Sequence, residues 1–249
     1  MQTFLTYFAY FFIYSIIGWI AETSFIMIKT KKFVDRGFLI GPYCPIYGTG
    51  AIAMILYLTQ YKNNILTVFL LGTIICSILE YFTSYIMEKL FKTRWWDYSN
   101  HKFNLNGRIC GENCLLFGLA GILAIYIIHP ILTTLLQLIP NKIFIIITLI
   151  AITIFIIDLI CSLNIINHFK KTLTSIDLKR DSTQEFSKVV KETISNNHKI
   201  FQQRLMKAFP NIDFSNLVNI KNEIKEEIKD LLDKIDDIKE KEHDNSEKL

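Results

Sequence analysis

The sequence predicts an all-α polytopic membrane protein with five transmembrane helices and a cytoplasmic helical tail. Three observations carry that prediction. Of 249 residues 51% are hydrophobic, but charge is divided unevenly: residues 1–166 hold 11 Lys+Arg and 7 Asp+Glu, whereas residues 167–249 hold 16 of each. The first part contains uncharged runs such as ILTVFLLGTIICSIL (65–79) and IFIIITLIAITIFII (143–157), and a span needs about 20 mostly apolar residues. Basic residues alternate between the connections, four in 29–42, one in 61–64, five in 88–108 and one in 129–142, before a basic start to the tail. Positive segments stay inside, so the N-terminus is expected outside and the tail in the cytoplasm.

The expected spans are 4–28, 43–60, 65–87, 109–128 and 143–163, making 1–166 a membrane domain and 167–249 a tail. The first span lacks a basic n-region and a small-residue cleavage site, so it reads as a retained helix rather than a signal peptide. Its end, TSFIMIK (23–29), is nearly repeated as TSYIMEK (83–89) at the end of the third span. A second pair, GPYCPIYGTGAI (41–52) and GENCLLFGLAGI (111–122), shares a frame of Gly, Cys, aromatic, Gly and Ile. The two pairs predict two parallel helical hairpins, 1–60 and 61–128, plus a fifth helix. Glu22 and Glu80 are 58 residues apart and fall out of the 60-residue register of the heptapeptides.

Before the second span, RGFLIGPYCPIYGTG (36–50) places Pro42 and Pro45 where a regular helix would lose backbone hydrogen bonds. A helix starting near residue 43 with Pro in its first turn fits. So does a broken or re-entrant segment lining a cavity. Gly48 and Gly118 permit close helix packing. The connection TRWWDYSNHKFNLNGR (93–108) reads either as an interfacial anchor, with Trp95, Trp96 and Tyr98 at the headgroups beside Asp97, Asn104, Asn106 and Arg108, or as a gate or docking surface.

Four carboxylates fall within spans: Glu22, Glu80, Glu112 and Asp158. Each costs about 2.5–3.5 kcal/mol at a helix centre, so they need partners or a function. Together they suggest a shared polar cavity open to the cytoplasm, with Thr23, Ser24, Ser77, Thr83, Ser84 and Asn113 as neighbours and Arg36 and Arg108 as counter-ions. The same carboxylates could instead fix helix packing as ion pairs. Cys110 and Cys114 lie four apart, but no His/Cys set completes a metal site. The five cysteines read as buried thiols, and no cofactor is implied.

Taken in order, GWIAE (18–22), RGFLIGPYCPIYGTG (36–50), LEYFTSYIMEKLF (79–91), RWWDYS (94–99) and NLNGRIC (104–110) resemble the "putative ABC-transporter type IV" (CmpB-like) family over about residues 5–165. The resemblance implies a bacterial multi-pass membrane protein acting as a transport permease. Glu112 and Asn113 stand where that pattern has apolar or small residues. The sequence carries no G-x-x-x-x-G-K-[ST] run, so a separate subunit would have to supply any ATPase.

In the tail, Phe186, Val189, Val190, Ile194, Phe201 and Leu205 predict one amphipathic helix, ended at Pro210. Leu217, Ile220, Ile224, Ile228, Leu231, Ile235 and Ile238 predict a coiled-coil-like second helix, with self-association or a protein partner through 214–242. Zero net charge and few aromatics in the tail argue against nucleic acid. The leading expectation is a permease with an inner polar cavity. The alternatives are a membrane scaffold or sensor whose tail recruits partners, and an intramembrane enzyme on lipids using Glu80, Asp97 and Arg108. The enzyme ranks last, because no Ser/His or Cys/His pair stands at a workable position.

Overall fold

The computed structural model describes residues 2–91 and 94–175. The predicted tail helices beyond residue 175, and with them the 214–242 partner segment, lie outside the described residues. Six α-helices follow one another: α1 (Gln2–Thr30), α2 (Pro45–Leu58), α3 (Ile65–Phe91), α4 (Gly111–Leu123), α5 (His129–Gln137) and α6 (Asn141–Ser175). An isolated antiparallel bridge pairs Leu105 with Ile109.

Four rods are long and apolar enough to cross a membrane: Gln2–Thr30, Ile65–Leu90, Gly111–Gln137 and Asn141–Asn164. Their outward faces are mostly apolar. On α3, for example, Leu66, Leu70, Ile74, Ile78 and Phe82 recur every fourth residue and are all exposed, a stripe suited to lipid rather than water. The third rod runs past the expected end at 128. Pro130 lacks an N–H and its ring would clash with the preceding turn; a π-helical turn, Ala124–Ile128, absorbs the defect and joins α4 to α5.

The expected second span takes a different form. α2 has 14 residues, extended by a 3₁₀ turn at Thr59–Tyr61, and its length of about 21 Å is short of a hydrocarbon core of about 30 Å. Pro45 occupies its first turn, as the first of the two sequence readings required. The segment before it folds back along α1. The Cys44 amide donates to the Ser15 carbonyl, halfway along α1, at 2.9 Å. Leu39, Tyr43 and Cys44 are buried. Residues 37–44 therefore run as irregular chain beside the C-terminal half of α1, and α2 starts about halfway along it.

The helix ends sort into two groups. Gln2 Nε2 donates to Asn141 Oδ1 at 3.0 Å, and Tyr126 donates to the Lys62 carbonyl at 2.6 Å. The starts of α1, α3 and α6 thus gather at one end, labelled the outer end after the side that the basic residues of the sequence predict for it, and the opposite end is labelled the inner. The core lies between α1, α2, α3 and the α4–α5 rod, and is built from Tyr10, Tyr14, Ala51, Met54, Leu58, Val68 and Ile125.

Two glycine contacts have the same form. A Cβ on Gly48 would fall 2.3 Å from the Phe11 carbonyl and 2.2 Å from Ser15 Oγ; one on Gly118 would fall 2.5 Å from both the Phe69 ring and Thr73 Oγ1. Phe11 and Phe69, Ser15 and Thr73, and Glu22 and Glu80 are each 58 residues apart. Helix contacts thus follow a 58-residue register, two residues off the heptapeptide match, and Glu22 and Glu80 occupy corresponding turns.

Gly48 meets backbone, which cannot swing aside, whereas Gly118 meets side-chain atoms, which can. Gly48→Ala is expected to destabilise the detergent-solubilised protein by about 1–3 kcal/mol, the usual cost of overpacking, and Gly118→Ala by less. Thermal unfolding followed by circular dichroism measures the order of the two.

Candidate functional site

Three polar clusters lie in the inner half of the molecule. The first is closed. Asp158, only 9% exposed, accepts from the amides of Ile40 at 2.9 Å and Gly41 at 2.7 Å, from Ser162 Oγ at 2.9 Å, and from the Tyr43 hydroxyl. Amides that leave helical geometry away from water must find acceptors. Asp158 supplies both of its oxygens to the segment Ile40 to Tyr43 and fastens it to α6.

The second cluster joins loop 94–110 to α3. Arg108 Nη1 lies 2.7 Å from Glu88 Oε2, and Arg94 Nε approaches the same oxygen at 3.3 Å. The Arg108 guanidinium also sits over the rings of Tyr81 and Tyr85, at 5.7 and 5.4 Å from their centroids. Asn106 donates to the Tyr81 hydroxyl at 3.0 Å, and Trp96 Nε1 to the Arg108 carbonyl at 3.2 Å. The loop bonds mostly to itself. Asn104 donates to the carbonyls of Ser99 and His101 and accepts from the Gly107 amide. Gly107 has φ +66, and a Cβ there would lie 2.4 Å from Asp97 Oδ1, so glycine is required. The Ser99 hydroxyl and amide, with Arg94 nearby, hold Asp97 below the ordinary carboxylate range. Trp95 is 6% exposed and packs edge-on against Phe38 of the first loop, with centroids 5.5 Å apart.

The third cluster lies between them and is open in its hydrogen bonding. Glu22 on α1 pairs with Arg36 at 3.5 Å and accepts from the Tyr47 hydroxyl at 2.5 Å. The Tyr47 ring rests on Gly18, where any side chain would collide with it. Glu80 on α3 is 7% exposed. The Tyr98 phenol and the Asn113 carboxamide approach its carboxyl, and Glu22 lies close enough to act on its charge. Among the described residues no Lys or Arg pairs with Glu80, and its Oε2 is buried without a hydrogen-bond partner. Burial pushes the Tyr98 phenol upward, and the neighbouring Glu80 adds to the effect, so Tyr98 stays a neutral donor.

The four expected carboxylates are therefore not one cavity. Glu22 lies close enough to Glu80 to act on its charge, Asp158 is consumed by the segment Ile40 to Tyr43, and Glu112 is 74% exposed beside His101 at 3.4 Å. Arg36 reaches Glu22 as expected, whereas Arg108 serves Glu88. Trp95 is buried against Phe38, and Tyr98 approaches Glu80. Tyr43, Tyr47 and Glu88 were missed from sequence. Glu88 had a signal: TSYIMEK and TSFIMIK differ at two positions, an aromatic exchange at Tyr85 and an acid for Ile28 at Glu88. Among the described residues, no three His, Cys, Asp or Glu are placed to hold a metal ion.

Asp158→Asn turns one acceptor into a donor facing other donors. It is expected to destabilise the protein by about 1–3 kcal/mol, the cost of an unsatisfied buried group. The Ile40 and Gly41 amides should then exchange faster with solvent. Thr153→Val, on the exposed side of α6, should leave both amides unchanged in the same exchange measurement.

Residues 9–163 match the model of a family described as "putative ABC-transporter type IV". No curated protein and no solved structure matches the chain.

Proposed function

From the chain's membership of that family, which covers more than half of its length, we propose that it is the membrane-embedded permease component of a transporter, with the centre around Glu80 as its solute or ion site. The observation that carries this reading is the Glu80 carboxyl: buried at membrane depth, without a basic partner among the described residues, and with Oε2 unpartnered. Structural carboxylates in the same molecule look different. Asp158 has four donors and Glu88 has two guanidinium groups. An intramembrane acid left incomplete is a place for a cation, a proton or a polar solute.

The centre lies nearer the end that carries Arg36, Arg94 and Arg108. By the distribution of basic residues that end faces the cytoplasm, with the N-terminus outside. The chain then crosses five times, the second crossing being made by residues 37–44 together with α2. The 58-residue register supports two parallel hairpins, α1–α2 and α3–α4, whose corresponding acids, Glu22 and Glu80, meet at their interface, where repeat transporters place their sites. A separate ATPase would dock on the cytoplasmic side, and the tail is a second partner surface.

The test is complementation. A strain lacking the protein is screened for a solute-uptake defect and supplied with wild type, Glu80→Asp or Glu80→Gln at equal membrane levels. Wild type is expected to restore uptake, Glu80→Asp partly, and Glu80→Gln not at all. Full restoration by Glu80→Gln would remove the carboxylate from the mechanism.

A further inference from the structure

The outer end holds a second polar feature that the Glu80 site does not use. A cavity of about 390 Å³ opens there, lined by Gln2, Thr6, Tyr7, Tyr10 and His129 among others. That is room for several waters, at about 30 Å³ each. Tyr10 lies edge-on to the His129 ring, with centroids 4.9 Å apart, and its hydroxyl is 3.0 Å from Thr133 Oγ1. The other face of His129 is incomplete, because Nδ1 is buried without a partner. Deeper along α1, Tyr14 is buried and its hydroxyl also lacks a partner. Tyr10 is its electrostatic neighbour.

These side chains share one helical face. Tyr7, Tyr10, Tyr14, Gly18 and Glu22 step by three or four residues. One turn below Tyr14, Gly18 carries the Tyr47 ring, and the Tyr47 hydroxyl donates to Glu22. Next to Glu22 is Glu80. Three buried polar atoms without partners, His129 Nδ1, Tyr14 Oη and Glu80 Oε2, therefore mark one line from the cavity to the inner carboxyls. Each such atom costs about 1–3 kcal/mol if left dry. Around that line Leu58 and Val68 are fully buried, which closes it to a solute.

We propose that this line is a proton path from the outer cavity to Glu80, so that the permease site is coupled to proton movement. The path rests on the permease reading of Glu80. An imidazole and a phenol can each accept a proton on one side and release one on the other, and chains of acids and histidines are the usual proton relays of membrane proteins. One proton enters at His129 and one leaves from Glu80, with the intervening hydroxyls unchanged and waters bridging the unpartnered atoms. The groups facing Glu80 suit this end point: Glu22 from α1, Tyr47 from α2, Cys76 from its own helix, Tyr98 from the loop and Asn113 from α4. The neighbouring cation, Arg36, is paired with Glu22.

The full chain is reconstituted into phosphatidylcholine–phosphatidylglycerol vesicles containing a pH-sensitive dye, and a potassium gradient with valinomycin drives proton entry. Wild type is expected to raise the rate of internal pH change several-fold over protein-free vesicles. Tyr14→Phe, which keeps the ring, should lose most of that excess, and Glu80→Gln all of it. Tyr57→Phe, on an exposed face of α2, should keep it. A wild-type rate equal to that of empty vesicles, from protein that is helical and monodisperse, would overturn the path. So would an excess untouched by Tyr14→Phe. Either result leaves the permease reading to the complementation assay, where Glu80→Gln alone decides it.

Discussion

The Asp158 carboxylate holds the irregular segment between α1 and α2 against α6. Irregular backbone cannot face lipid, because each unpaired amide costs several kcal/mol there. Residues 37–44 are tolerated because Asp158 takes the Ile40 and Gly41 amides and the Tyr43 hydroxyl, while Ser15 takes the Cys44 amide. With that segment held, α2 begins about halfway along α1. Its first turn then brings Tyr47 onto Gly18 and against Glu22. A regular second span would put a different residue there.

The loop between α3 and α4 completes the enclosure by the opposite strategy. It carries its own polar partners, Asn104 and Asp97, and is tied down by the Glu88, Arg94 and Arg108 cluster. Because Glu88 engages both arginines, neither serves Glu80. The loop contributes a phenol, Tyr98, in place of a cation. An acid covered by a neutral donor keeps the freedom to exchange a proton or bind a cation, whereas one clamped by Arg108 would not. Trp95 against Phe38 locks the two loops together above this centre.

Much of the scaffold was legible in sequence because long apolar runs permit little besides helices in lipid. The four spanning rods follow from composition alone. What sequence left open was Pro42 and Pro45, which served a helix start and a re-entrant segment equally well; the choice depends on whether an acceptor waits at depth, and Asp158 is more than a hundred residues away. The repeat is an expectation of the sequence, and its strongest lexical match, TSFIMIK with TSYIMEK, lies two residues off the 58-residue spacing of the residues that Gly48 and Gly118 meet. Close helix packing is governed by where glycines meet backbone, not by the longest shared word. Glu112 was drawn into the site by its place in a span, although it sits in the first turn of α4 and turns outward. Tyr47 escaped notice because a tyrosine among apolar residues reads as core until its hydroxyl finds an acid.

The most direct test of this account is a solid-state NMR measurement on the bilayer-reconstituted protein, with the Asp158 carboxyl carbon and the Ile40 and Gly41 amide nitrogens labelled. The account predicts dipolar contact between the carboxyl and both amides, which should resist exchange with deuterated water. Absence of that contact, with both amides exchanging freely, would place residues 37–44 outside the membrane and remove the basis for the position of Tyr47 and the enclosure of Glu80.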